Sequence, residues 1–182
     1  MAGGRSAFSR NADVYAARIK AIIFGVIFAC ALCAMESTRL SSIRLPLLGY
    51  SSPMLCLGMS VAVGFLMGES EGGVAGLFSG FLCECAEGDG IFIFPLLYFA
   101  LGYLTGLLTD RILGKNLASY LVFLAVAALV SFGADTLLTA IVAGGFYENA
   151  LLSLVAGIVL TVVFSIPIYL LVRLYAKASN KQ

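Results

Sequence analysis

The chain of 182 residues is 61% hydrophobic with a mean hydropathy of +1.03, well above the roughly 45–50% apolar usage of soluble domains, so a water-soluble fold is not expected. A formal net charge of +1 gives neither a basic footprint for nucleic acid nor an acidic tail. Histidine is absent, which removes the commonest side chain for proton transfer and metal ligation.

Residues 1–18 form a basic N-terminus, and apolar segments then recur to residue 174 with only short polar breaks. This predicts one all-α membrane domain, a compact bundle of about six transmembrane helices over 19–174, followed by a short C-terminal tail, 175–182. The spans are 19–35, 53–68, 70–86, 91–109, 117–143 and 150–174. The first span has the outline of a signal peptide, with Ala29, Cys30 and Ala31 small enough for a cleavage site. Further spans follow it, so an uncleaved helix is expected. Cys30 and Cys33 form a CxxC there, and Cys83 and Cys85 flank Glu84 in the third span. Inside an apolar helix cysteine behaves as a small hydrophobe. Packing is therefore the expectation for these cysteines, with no metal and no cofactor assigned.

Ser52 and Pro53 suit an N-cap and a first helical position for the second span. The second and third spans are short against the roughly 20 residues that cross a hydrocarbon core, so they are either two crossings or one re-entrant hairpin. The third begins with Glu69 and Glu71, which favour a helix N-terminus. It then carries the strongest pattern in the chain: Gly68, Gly72, Gly76, Gly80 and Glu84 at a constant spacing of four. Small residues at that interval let another helix approach closely, which matters between lipid-embedded helices because lipid supplies little hydrophobic drive for their association. The stripe is a helix-packing or partner interface. Glu87 to Gly90 reads as a tight acidic turn.

Pro95 is expected to bend the fourth span near its outer end, and Tyr98, Gly102 and Gly106 repeat the small-residue device there. Ala17, Ala21, Gly25, Ala29 and Cys33 repeat it in the first span, and Ser153, Gly157, Thr161, Ser165 and Tyr169 in the sixth. So many small faces suggest that at least one meets a partner in the membrane. The fifth span carries an intramembrane polar stripe, Ser131, Asp135 and Thr139. An ionisable group at depth is costly, and a structural hydrogen bond within that stripe is the expected role. Pro167 should bend the sixth span near its inner end.

Basic residues near span ends stay on the cytoplasmic side. With an even number of crossings and the N-terminus inside, Arg5, Arg10, Arg18, Lys20, Arg111, Lys115, Arg173, Lys177 and Lys181 are cytoplasmic and only Arg39 and Arg44 lie outside. Both termini are therefore placed in the cytoplasm. No nucleophile stands beside a plausible base and no phosphate loop is present, so no enzymatic activity is expected.

The stretch from Glu36 to Asp110 resembles the MreD family of rod shape-determining membrane proteins. Ser37 and Thr38 follow the first span, a short outer segment ends in Pro53, and a long apolar helix follows. The glycine-rich run Gly72 to Gly80 precedes Phe81, Leu82 and an acidic residue. Gly88 and Gly90 mark a turn, and Leu101, Gly102, Tyr103, Leu104, Thr105 and Gly106 complete the pattern. The family more often has Asp where Glu84 stands. The resemblance implies a non-enzymatic subunit of the bacterial cell-elongation complex in the cytoplasmic membrane, in contact with membrane lipids and supporting cell shape and peptidoglycan synthesis. Its implied partners are an MreC-like protein, an MreB-like filament and a RodA-type glycosyltransferase with a class B penicillin-binding protein; self-association stays open. The alternative is the substrate-binding subunit of an energy-coupling factor vitamin transporter, whose six-helix architecture is similar and where the small face of the first helix would serve as a docking seam. The chain has few grouped polar anchors for a vitamin.

Overall fold

A computed structural model describes residues 23, 25–36, 43–45, 49–51, 53–87, 93–111, 116–144 and 150–179. Six helices account for almost all of them: α1 (Gly25–Glu36), α2 (Leu55–Met67), α3 (Glu69–Glu87), α4 (Phe94–Arg111), α5 (Leu117–Ala143) and α6 (Ala150–Ser179). The architecture is all-α apart from one hairpin between α1 and α2. There β1 (Ile43–Leu45) and β2 (Gly49–Ser51) pair antiparallel with Arg44 opposite Tyr50. Strands of three residues are too short to show alternation, so the sequence reading contains no strand. The basic N-terminus, Ser52, the Gly88–Gly90 turn and Lys115 lie outside the described residues.

Two helices, α5 and α6, are long and apolar enough to cross a membrane, over Leu117–Val142 and Leu151–Lys177. By contrast α2 has 13 residues, about 20 Å of helix. It is also the most enclosed: every residue from Leu55 to Phe65 is buried. It packs against α3, α4, α6 and α5, while α3 and α4 form the most extensive helix pair. Ala29, Leu32 and Cys33 bring α1 into the same core. Gly68 alone separates α2 from α3, and its φ of 125° belongs to glycine.

The start of α2 differs from the sequence expectation. The helix begins at Leu55, after buried Pro53 and after Met54, which as cap residue brings no side-chain hydrogen bond. Other helices supply the missing acceptors. Thr161 Oγ1 of α6 accepts the Met54 N–H at 3.0 Å, and Glu36 Oε2 of α1 accepts the Cys56 N–H at 3.1 Å. Pro95 likewise corrects the reading of a bend. It is the second residue of α4, where a first-turn N–H has no intrahelical acceptor, so its missing N–H interrupts nothing. Pro167 does lie inside α6.

Tyr120, in the first turn of α5, and Tyr169 of α6 are buried and stack at 4.6 Å between ring centroids, and Phe65 of α2 meets both edge-on at 5.9 and 6.3 Å. The Tyr120 hydroxyl is shared between the carbonyls of Gly58 and Ser165, at 3.3 and 3.4 Å. This cluster fixes α5 and α6 against α2.

The trans-caps predict that α2 is anchored by α6. Thr161→Val keeps the side-chain shape but leaves the Met54 N–H without its acceptor, an expected cost of about 1–3 kcal/mol. Thermal unfolding of the purified protein measures it, and an unchanged transition would remove the anchoring role.

Candidate functional site

The glycine stripe of α3 is laid along α4 and the end of α2. Gly72, Gly76 and Gly80 are buried. A Cβ on Gly72 would stand 2.6 Å from the Gly102 carbonyl oxygen and 2.9 Å from the Gly64 nitrogen. One on Gly76 would meet the Phe99 nitrogen at 2.9 Å, and one on Gly80 the Pro95 Cα at 2.6 Å. From the other side, a Cβ on Gly102 would be 2.8 Å from the Gly72 carbonyl carbon, and one on Gly106 would be 2.6 Å from the Gly68 carbonyl carbon. All of these neighbours are main-chain atoms. Three helices thus touch backbone to backbone, and Gly64 on α2 joins the seam without having been singled out in the sequence. Gly68 serves instead as the link between α2 and α3.

The other small faces also turn inward. Ala29 and Cys33 are buried, Gly157 lies against the Phe132 ring, and Thr161, Ser165 and Tyr169 are buried between α6 and its neighbours. Gly25 alone among these has nothing near it. Most of the described members of these stripes are thus used inside the chain, and Gly25 of α1 is left open. What the helices present outward is large and aliphatic: Val122, Val126, Leu129, Leu137 and Ile141 on α5, and Leu151, Val155, Val159, Val163 and Leu174 on α6.

Within the polar stripe of α5, one hydrogen bond links Asp135 and Thr139. The Thr139 hydroxyl donates to the main-chain carbonyl of Asp135 at 2.9 Å, while the Ser131 hydroxyl is buried without a hydrogen-bond partner among the described residues. A hydroxyl in a helix finds the carbonyl three or four residues back within reach. Thr105, Thr109 and Thr136 donate to the carbonyl four residues back and Ser60 and Ser79 to the one three residues back. Glu84 is buried at 4% exposure, and its Oε2 has no hydrogen-bond partner among the described residues.

One constellation was not visible in the sequence. The CxxC and the Cys83/Cys85 pair each give up one member, since Cys30 and Cys85 are exposed. Buried Cys33 of α1, Cys56 of α2 and Cys83 of α3 converge instead, with their Sγ atoms all within 4.8 Å of one another. Glu36 joins them: its Oε2 lies 3.9 Å from the Cys83 Sγ and accepts the Cys56 N–H. Among the described residues the three cysteines are close enough together to hold a metal ion, with Glu36 beside them. Spacings of 23 and 27 residues between these cysteines carry no motif.

Comparison of the chain with protein-family models, curated proteins and solved structures gave no match.

The seam yields a sharp prediction. Because the neighbouring atoms are backbone, even a methyl group at Gly72 or Gly80 forces helices apart, and Gly72→Ala or Gly80→Ala should each destabilise by about 1–3 kcal/mol. Gly133, with nothing within 4 Å, serves as control, and Gly133→Ala should be neutral or slightly stabilising. Equal unfolding midpoints for all three variants would contradict the close approach.

Proposed function

We propose that the chain is an integral membrane protein of six crossing helices whose work is to assemble other proteins, in the manner of the MreD-like subunits that it resembles. The observation that carries the membrane part is the partition of side chains. Hydroxyls and glycines line the interior, most of the hydroxyls bonded within their own helices and the glycines pressed against neighbouring helices, while the long outward faces of α5 and α6 are largely aliphatic. In water such faces would be aggregation surfaces; in lipid they are the solvent-exposed side. The charges fit the same frame, since Arg111, Arg173 and Lys177 all belong to the ends of α4 and α6 opposite the α1–α2 hairpin, as cytoplasmic basic residues would.

The MreD-like part rests on the run from Glu36 to Asp110. Most of that run folds as one unit, α2, α3 and α4 joined by the glycine seam. An assembly role in the cell-elongation complex would use the outer faces of this bundle, with an MreC-like protein as the first partner. The transporter reading needs a free small face on α1, and the burial of Ala29 and Cys33 speaks against that part of the seam.

Two measurements test the proposal. In protein with exposed Cys30 and Cys85 replaced by Ser, a cysteine introduced at Ser42 should react with an impermeant maleimide from outside intact cells, and one at Ser179 only after the membrane is opened. Labelling of both from one side would contradict six crossings. Copurification should recover an MreC-like protein. Recovery of a transporter ATPase instead would assign the chain to the energy-coupling factor class.

A further inference from the structure

We propose that Cys33, Cys56, Cys83 and Glu36 form a binding site for a single thiophilic d10 cation, with zinc(II) favoured over copper(I). Packing alone explains a buried cysteine. It does not explain why three helices each bring one thiol to a common point, nor why a carboxylate stands among them. The distances are close to those of coordination. Around zinc, with metal–sulfur bonds of about 2.3 Å in a tetrahedron, sulfur atoms lie about 3.8 Å apart, and the three Sγ atoms are already within 4.8 Å. A sulfur and a carboxylate oxygen on one such ion are about 3.6 Å apart, against 3.9 Å between Cys83 Sγ and Glu36 Oε2. The sulfurs have to close by no more than about 1 Å, while Glu36, already beside Cys83, has to rotate further to reach the ion.

Binding zinc(II) through three thiolates and the carboxylate forms three Zn–S bonds and one Zn–O bond and releases the three thiol protons to solvent. The centre then carries a charge of −2. Two features of the fold offset it. Cys56 lies in the first turn of α2, so the positive end of that helix dipole faces the ligands. The Cys56 N–H also holds Glu36 Oε2 in place, the kind of outer hydrogen bond that orients metal ligands. Copper(I) would use the three sulfurs and leave the carboxylate outside, which places more negative charge in the same apolar surroundings. The bound ion would tie α1, α2 and α3 together at their shared end.

The experiment uses the full chain in detergent with Cys30→Ser and Cys85→Ser, reduced and stripped of metal. Zinc(II) and copper(I) are titrated against a chromophoric chelator, with cobalt(II) as a spectroscopic substitute. One ion per chain is expected, with a thiolate-to-cobalt charge-transfer band that weakens by about a third for each of Cys33→Ser, Cys56→Ser and Cys83→Ser, in line with three sulfur ligands. Glu36→Gln should weaken zinc about 10- to 100-fold. If copper(I) binds more tightly and Glu36→Gln leaves it unchanged, the site is a copper(I) site of the same thiolate chemistry. A monodisperse parent protein that binds none of the three ions overturns the proposal without any ligand having been altered. So does a cobalt band of full strength in Cys56→Ser or in Cys56→Ala.

Discussion

The enclosure of one short helix governs the rest of the molecule. At 13 residues, α2 reaches about 20 Å, less than the roughly 30 Å of a hydrocarbon core, and it is surrounded by protein along almost its whole length. A buried helix end cannot leave its N–H groups to water, so Thr161 and Glu36 must come from α6 and α1 to accept them. A helix with neighbours on every side also needs faces thin enough for those neighbours to approach. Gly58 meets Ser165 of α6, and Gly64 meets Gly72 and Gly102. The glycines cost helix propensity of up to about 1 kcal/mol each, offset by the packing they allow.

Helix positions were legible because each apolar run is long and bounded by polar or breaking residues; the fifth span matches α5 at both ends. The identity of the packing faces was legible too, since a four-residue repeat of glycine in α3 admits few other meanings. What those faces meet was not. A stripe such as Gly72, Gly76 and Gly80 has the same pattern whether it receives α4 or a second protein, and only the chain's three-dimensional path decides. The start of α2 was misplaced for a related reason: local capping rules point to Ser52, whereas the acceptors come from residues 20 and 107 positions away. The convergence of the thiols was hidden entirely, because Cys56 has no partner near it in sequence and the two apparent pairs are each split between core and surface.

The polar groups follow a single economy. Most interior hydroxyls donate to a carbonyl three or four residues back on their own helix, which satisfies them without specifying a neighbour. Specificity between helices is then left to shape, to the Tyr120–Tyr169–Phe65 ring cluster and to the two trans-caps. Glu36 is distinctive because it does both kinds of work: its carboxylate caps α2 and lies among thiols from three helices.

The two cysteines that Glu36 meets are brought level by the seam. Gly64 of α2 faces Gly72 of α3, and the two helices run antiparallel, so moving eight residues along each brings Cys56 level with Gly80. Cys83 is three residues further on, and helical side chains lean toward their own N-terminus, which carries its sulfur back toward Cys56. A slip of one helical turn, about 5.4 Å, would exceed the 4.8 Å that contains all three sulfurs. The stripe repeats every four residues, so a one-turn slip would still set a glycine of α3 against Gly64, and the choice among these registers falls to Glu36, which accepts from Cys56 of α2 and lies against Cys83 of α3. The glycine pattern that was plain in the sequence thus lets the helices approach, and a carboxylate from a third helix, which was not plain, selects the register that gathers the thiols.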